Sequence, residues 1–178
     1  MESWKNYNMD KIETKRLLLR KVNIADANDM FNNWASDPEV CTYMTWNAHA
    51  NIDVTKARIN KWIEDVEGNK YRFIITLKDD KTPIGTIDVV NIEDNIAEIG
   101  YCSGKRWWGN GYMTEACKAM IKFLFDCGFK GVRIDAVDKN IGSNKVIQKC
   151  GLNYVGSFKM YFEAKEKEFT INSYILMK

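Results

Sequence analysis

Lys105-Arg106-Trp107-Trp108-Gly109-Asn110-Gly111-Tyr112-Met113-Thr114-Glu115-Ala116 places two cations and then two glycines directly before an amphipathic helix. Ahead of it, Ile96-Ala97-Glu98-Ile99-Gly100-Tyr101-Cys102 has the composition of a strand. Behind it, Met113, Ala116, Cys117, Met120, Ile121 and Leu124 recur on one helical face. Strand, glycine turn and helix therefore follow in order. The first N–H groups of a helix have no intrahelical acceptor and lie at the positive end of its dipole, so glycines there let an anion approach bare backbone. A pyrophosphate is the natural guest. No Lys-Ser or Lys-Thr follows Gly111, which excludes the P-loop of nucleotide triphosphatases, and the two glycines lack the third that a dinucleotide fingerprint needs.

Outward from this stretch the chain reads as one mixed unit. Lys15 to Lys21 fits a strand, and Asn23 with Asp26 forms the N-cap and first-turn acid of a helix running through Trp34. A second helix spans Asp53 to Val66, with Gly68 as its C-terminal stop. Tyr71 to Leu77, Thr82 to Ile92 and Asn95 to Ser103 are separated by short polar turns and predict an antiparallel meander. Helix Gly111 to Cys127, strand Gly131 to Val137, helix Gly142 to Lys149 and strands Asn153 to Tyr161 and Glu168 to Met177 complete an α/β fold with a mixed (α+β) sheet. Its order is β-α-α-β-β-β-α-β-α-β-β. The strands on either side of the glycine helix are parallel if that helix is a crossover.

The loop resembles the Arg/Gln-x-x-Gly-x-Gly/Ala motif of the GNAT N-acetyltransferase superfamily, matched here by Arg106, Gly109 and Gly111. A second motif follows in order. Asn140-Ile141-Gly142-Ser143-Asn144-Lys145-Val146-Ile147-Gln148-Lys149-Cys150-Gly151-Leu152 is similar to the family's Asn-x-x-Ser/Ala helix ending in Gly-Phe, with Leu152 in place of the Phe. Arg16-Leu17-Leu18-Leu19-Arg20 and Pro83-Ile84-Gly85-Thr86-Ile87 resemble the branch that acetylates the N-terminal alanine of ribosomal proteins. The resemblance spans Glu13 to Met177. It implies a GNAT fold in one domain, 1–178, in which the two parallel strands splay and the thioester arm of acetyl-CoA, the co-substrate, enters the opening as a strand would.

By this resemblance Arg106, Gly109, Asn110, Gly111, Tyr112 and Met113 wrap the pyrophosphate. Tyr101 and Cys102 line the thioester arm, Asn140 hydrogen-bonds the pantetheine, and Lys145 and Lys149 meet the adenosine 3′-phosphate. Asn140 also reads as a turn residue, and the two lysines as solvated charges.

Acetyl transfer to an amine needs a neutral amine, a polarised carbonyl and stabilisation of the leaving thiolate. Glu98, mid-strand among apolar residues and on the same face as Gly100 and Cys102, reads as a general base acting through water or as a rim carboxylate paired with a lysine. The family resemblance favours the base. It also assigns Ser143 to the thiolate, whereas a helix-start serine is otherwise common. Many relatives place a Tyr seven residues after the motif Asn as general acid; Ile147 stands there, leaving Tyr154 or solvent as substitutes. Trp46, in the aromatic stretch Tyr43-Met44-Thr45-Trp46, is an acceptor-pocket wall or core.

Composition narrows the rest. The 178 residues carry 26 basic and 24 acidic side chains, a net charge of +2 that is too balanced for a nucleic-acid footprint. Five cysteines without CxxC spacing read as thiols of a cytoplasmic protein. Met1-Glu2-Ser3-Trp4-Lys5-Asn6 has no apolar segment of a secretory signal, and no membrane association is expected. The only histidine, His49, cannot build a multi-histidine site, so no metal is expected. The expectation is an acetyl-CoA-dependent N-acetyltransferase, monomer or homodimer, acting on a protein N-terminus or a small-molecule amine by direct attack in a ternary complex. The alternative is a non-catalytic acyl-CoA sensor of the same fold.

Overall fold

Alternation along Ile96–Ser103 (β5) decides the two faces of the molecule. Ala97, Ile99 and the ring of Tyr101 turn to one side, Glu98 and Cys102 to the other. The computed structural model of the chain describes residues 10–178, so the Met1 to Asn6 stretch lies outside the described residues. Around β5 an eight-stranded sheet runs in the order β1-β2-β3-β4-β5-β6-β8-β7. The strands are Lys11–Glu13 (β1), Leu17–Arg20 (β2), Arg72–Leu77 (β3), Pro83–Glu93 (β4), β5, Gly131–Val137 (β6), Asn153–Phe162 (β7) and Lys167–Met177 (β8). All neighbours are antiparallel except β5 and β6, which are joined through helix Tyr112–Asp126 (α4) and are parallel, as a crossover requires.

That parallel pair is short. Only Ile96↔Gly131, Ala97↔Val132 and Glu98↔Arg133 are in register, although β5 continues to Ser103 and β6 to Val137. Beyond Glu98 the two strands part, and among the described residues the backbone of residues 99–103 has no strand partner on that side.

One face of the sheet packs Leu17, Leu19, Phe73, Ile75, Ile87, Ala97, Ile99, Val132 and Ile134 against Ala116, Cys117, Met120 and Leu124 of α4 and Ile147 of helix Ile141–Lys149 (α5). Burying each of these larger side chains contributes about 1.5–3 kcal/mol. On the other face Ile74 and Cys102 pack against Val22, Ala27, Met30, Trp34, Ala35, Val40 and Ile59. Ile59 belongs to helix Ile52–Glu64 (α2). A third cluster joins Val137, Phe162 and Ile171 to Tyr43 and Phe169.

Several expectations need correction. β1 precedes the strand placed first, so the sheet has one strand more than the expected order. The helix expected from Asn23 through Trp34 does start on the Asn23/Asp26 capping box, with Asp26 held further by Arg20 at 2.6 Å. It is nonetheless broken into a 3₁₀ turn (Ile24–Asp26), a short α-helix (Ala27–Met30, α1) and a π turn (Phe31–Ala35). The π turn brings the consecutive Trp34 and Ala35 both into the core. Gly68 is not the stop of α2. The chain leaves the helix at Asp65 (φ −79°, ψ 79°), whose carboxylate accepts the Gly68 N–H and caps a separate short helix, Val66–Asn69 (α3).

Candidate active site

The glycine turn sits where β5 ends. After Ser103 a 3₁₀ turn, Lys105–Trp107, leads to Gly109 and Gly111, whose φ angles of 76° and 78° lie in the left-handed region that disfavours side chains. Gly111 is the N-cap of α4 and no side chain caps that end; the first helical bond is Glu115 N–H to Gly111 O at 3.1 Å. The N–H groups of Tyr112, Met113 and Thr114 therefore face outward at the positive pole of a helix of 15 residues. A Cβ on Gly109 would meet nothing within 4 Å, and one on Gly111 only Arg16 Nη2 at 3.6 Å. The space before the helix is open to an anion.

Arg16, read from sequence as part of a strand and of a family-like segment but given no role at the site, holds this turn. Its Nε pairs with Glu115 Oε2 at 2.7 Å, its Nη1 donates to Asn110 O at 3.0 Å, and its guanidinium lies 4.3 Å above the Tyr112 ring. Thr14 Oγ1 and the Arg16 N–H both donate to Glu115 Oε1, at 2.7 and 2.8 Å. Burial raises the Glu115 carboxyl, yet these donors outweigh it and hold the group below its ordinary range. Lys105, in contrast, is paired with Glu39 at the surface, and Arg106 is exposed over the Trp107 ring at 5.8 Å. Among the described residues the nearest cation to Gly111 is thus Arg16.

Across the parted strands stands α5. Asn140 is its N-cap and accepts the Ser143 N–H at 3.1 Å, so this oxygen is committed to the helix end. Tyr101 on β5 reaches over the opening and places its hydroxyl 2.9 Å from Ser143 Oγ. Ile147 is fully buried in the core under α4, a position that a larger tyrosine would overfill. Tyr154 does not replace it. It lies on β7, two strands beyond β6, with its hydroxyl on Ser157 Oγ at 2.6 Å. Lys145 and Lys149 stand exposed on α5. Asn144, which sequence reasoning passed over, is the buried hub of this corner: Nδ2 donates to Val137 O and Asn140 O, and Oδ1 accepts from Tyr174 and Asn172. Its signal was a second asparagine one helical turn after Asn140.

On the opposite face Glu98 stands in register with Asn91 of β4. Its carboxyl is pushed above the ordinary range, first by burial and then by the negative charge of Asp135, against the opposing Arg133 and Asn91. Asp135, also raised by burial, accepts from Ser173 Oγ at 2.6 Å. A cavity of about 10 Å³ lined by Asn91, Glu93, Ile96, Glu98 and Arg133 has room for a single water beside the carboxyl. A wider groove of about 380 Å³ runs along the C-terminal half of α4, away from the glycines.

The aromatic stretch packs on the second core cluster, with Met44 and Trp46 against it. Trp46 packs at 5.3 Å from buried His49, whose Nδ1 lies 2.8 Å from Thr55 Oγ1. Asn47 donates to Ala164 O and accepts from Lys165, which docks this loop on the β7–β8 turn. Cys102 is buried 3.3 Å from Thr86 Oγ1, and burial pushes its thiol up to about 11. All five cysteines are thiols. Among the described residues no helix is long and apolar enough to cross a membrane.

Residues 16–153 match the model of a known family, described as the acetyltransferase (GNAT) domain. The chain is 32% identical to an uncharacterized N-acetyltransferase p20 of Bacillus licheniformis, over 96% of this chain and 97% of that protein. Among solved structures it superimposes on the microcin C7 self-immunity acetyltransferase MccE, in complex with acetyl-CoA and AMP, with a TM-score of 0.82 at 21% identity, covering 93% of this chain and 94% of that one. It is likewise similar to RimL, a ribosomal L7/L12 alpha-N-protein acetyltransferase in complex with coenzyme A, with a TM-score of 0.81 at 17% identity over 94% and 98%. The strand opening, the glycine turn before α4 and a family match over most of the chain converge on one assignment: the chain belongs to the GNAT family and is an acetyl-CoA-dependent acetyltransferase.

Proposed function

We propose that this enzyme transfers acetyl from acetyl-CoA to a primary amine by direct attack in a ternary complex, as a single domain acting in the cytoplasm. The observation that carries the reading is the parting of β5 and β6 beyond Glu98↔Arg133, with the glycine turn at one end of the opening and Ser143 on its far wall. In this reading the amides of the α4 first turn, with Arg106, Gly109, Asn110, Gly111, Tyr112 and Met113, hold the pyrophosphate. The free backbone around Tyr101 and Cys102 pairs with the pantetheine, and Lys145 and Lys149 face the 3′-phosphate. Glu98, its carboxyl raised by burial and by the charge of Asp135, takes the amine's proton through a water, and Ser143 hydrogen-bonds the leaving sulfur. Trp46 walls the acceptor pocket.

Acceptors handled by relatives differ, a ribosomal protein α-amine for RimL and a site holding AMP in MccE. The test is therefore release of CoA thiol over a panel of N-terminal peptides, polyamines, aminoglycosides and amines linked to adenylate. Release that depends on one amine class is expected. CoA binding with no amine-dependent release would overturn transfer in favour of an acyl-CoA sensor.

Arg16→Gln loses the clamp on Asn110 and Glu115. It is expected to raise the KM for acetyl-CoA about tenfold with kcat little changed, since one charge-assisted hydrogen bond carries about 1.5–3 kcal/mol. With acetyl-pantetheine, which lacks the pyrophosphate, variant and wild type should converge. Cys102→Ala is expected to stay active, and initial-rate plots to intersect, because a buried thiol near 11 with no histidine beside it is a poor nucleophile. Parallel plots, with one acetyl group found on Cys102 in the absence of amine, would establish an acetyl-enzyme instead.

A further inference from the structure

Among the described residues the hydrogen bond from Tyr101 to Ser143 is the one side-chain bond joining β5 to α5 across the opening, and the mechanism above uses only its serine end. Both partners are held. Ser143 is in the first turn of α5, its N–H fixed by Asn140 Oδ1 at 3.1 Å. Tyr101 stands on the stretch of β5 that has left β6, half-buried against the sheet's α4 face. Its hydroxyl lies 2.9 Å from Ser143 Oγ and 3.4 Å from Ser143 O, within reach of no other described hydroxyl. A serine hydroxyl left alone rotates among three wells and, in a helix, turns back to bond a carbonyl of the preceding turn.

We propose that Tyr101 donates its hydroxyl hydrogen to Ser143 Oγ and thereby aims the Ser143 hydrogen at the departing thiolate, so that the pair steadies by hydrogen bonding the charge that the tyrosine missing at position 147 would neutralise by protonation. The inference rests on the proposed role of Ser143. As the amine's C–N bond forms and the C–S bond breaks, the electron pair of that bond leaves on sulfur and meets the serine hydrogen, while the amine's surplus proton goes to Glu98. The thiolate takes its proton from solvent on release. Tyr101 stays protonated throughout. Burial lifts its phenol well above the ordinary value, which keeps it a donor across the working pH range and makes it a positioning residue, not the acid. A serine that accepts one hydrogen bond also donates a stronger one.

The experiment needs no acceptor. A thiolate held by Ser143 binds more tightly than the thiol, so the affinity of CoA relative to desulfo-CoA, measured by calorimetry, should rise as pH climbs from the bound thiol's lowered pKa and level off above the free thiol's, about 8.5 for a cysteine-type thiol. A one-unit drop of the bound thiol's pKa gives wild type a roughly five- to tenfold rise in that ratio between pH 7 and 9.5. Tyr101→Phe, which keeps the ring, should flatten the rise to under about twofold with desulfo-CoA affinity unchanged, Ser143→Ala should do the same, and the double variant should add nothing. The titratable groups against the phenol, Cys117 on α4 and Cys150 at the end of α5, cancel in the ratio to desulfo-CoA. A full rise in Tyr101→Phe with a flat Ser143→Ala overturns the role of Tyr101 alone. A full rise in both variants, or none in wild type, overturns the role of Ser143 and this inference with it. An equal loss of CoA and desulfo-CoA affinity in Tyr101→Phe makes the tyrosine a packing residue and overturns the proposal.

Discussion

Gly111→Val is expected to bind acetyl-CoA at least about a hundredfold more weakly than wild type, the largest binding defect that one side chain in this molecule should cause. The valine would stand at the mouth of α4, in front of the amides of Tyr112 and Met113, and several charge-assisted hydrogen bonds to a pyrophosphate, each about 1.5–3 kcal/mol, would be lost together. Valine at a φ of 78° also strains the backbone, so affinity must be separated from stability. Gly151 supplies the control. Its φ is 85° and a Cβ there meets nothing within 4 Å, yet it lies past the far end of α5. Gly151→Val should lower the melting temperature comparably while leaving calorimetric affinity near wild type. Unchanged affinity in Gly111→Val would move the phosphate site elsewhere.

Glu98→Gln is expected to bind acetyl-CoA normally and to turn over roughly a hundredfold more slowly at neutral pH, the lower end of what a positioned base contributes. The pH dependence carries the sign. A base acts deprotonated, and burial together with Asp135 raises the Glu98 carboxyl, so wild-type kcat/KM should fall on the acid side at a pH above the ordinary carboxylate value of about 4.3. Asp135→Asn removes the neighbouring negative charge and should shift that limb to lower pH. The deficit of Glu98→Gln should shrink as pH approaches the acceptor's own pKa, about 7.7–8.0 for an α-amine and 10.4 for a lysine-like amine, because the amine is then neutral unaided. A Glu98→Gln enzyme that matches wild type at neutral pH would place the base elsewhere.

What was legible in the sequence was local. The glycine turn, the helix it starts and the meander before it depend on neighbours a few residues apart, and the parallel pair followed from the crossover. β1 escaped notice because Lys11–Glu13 has one apolar residue and becomes a strand only by pairing with β2. Asn23 and Asp26 announced the start of a helix, while the π turn that breaks it arises where Trp34 and Ala35 are drawn together into the core. The site was legible in the same measure. Gly109, Gly111 and Ser143 lie in contiguous motifs. Arg16 meets Glu115 across 99 positions, and Asp135 reaches the field of Glu98 only once the register of β5 on β6 is known. That Ile147 is a core side chain became clear from its burial alone.

The three-pair seam between β5 and β6 has a consequence for the life of the protein. Strands β6, β8 and β7 are joined to the rest of the sheet by that seam and by packing under α4 and α5, so a substrate that fills the gap works as mortar between two blocks of masonry. Anything bound only by the folded chain stabilises it in proportion to the logarithm of its concentration over its Kd. In the proposed binding mode the donor of the acetyl group also sets how firmly the enzyme holds together, so its melting temperature should climb with acetyl-CoA concentration.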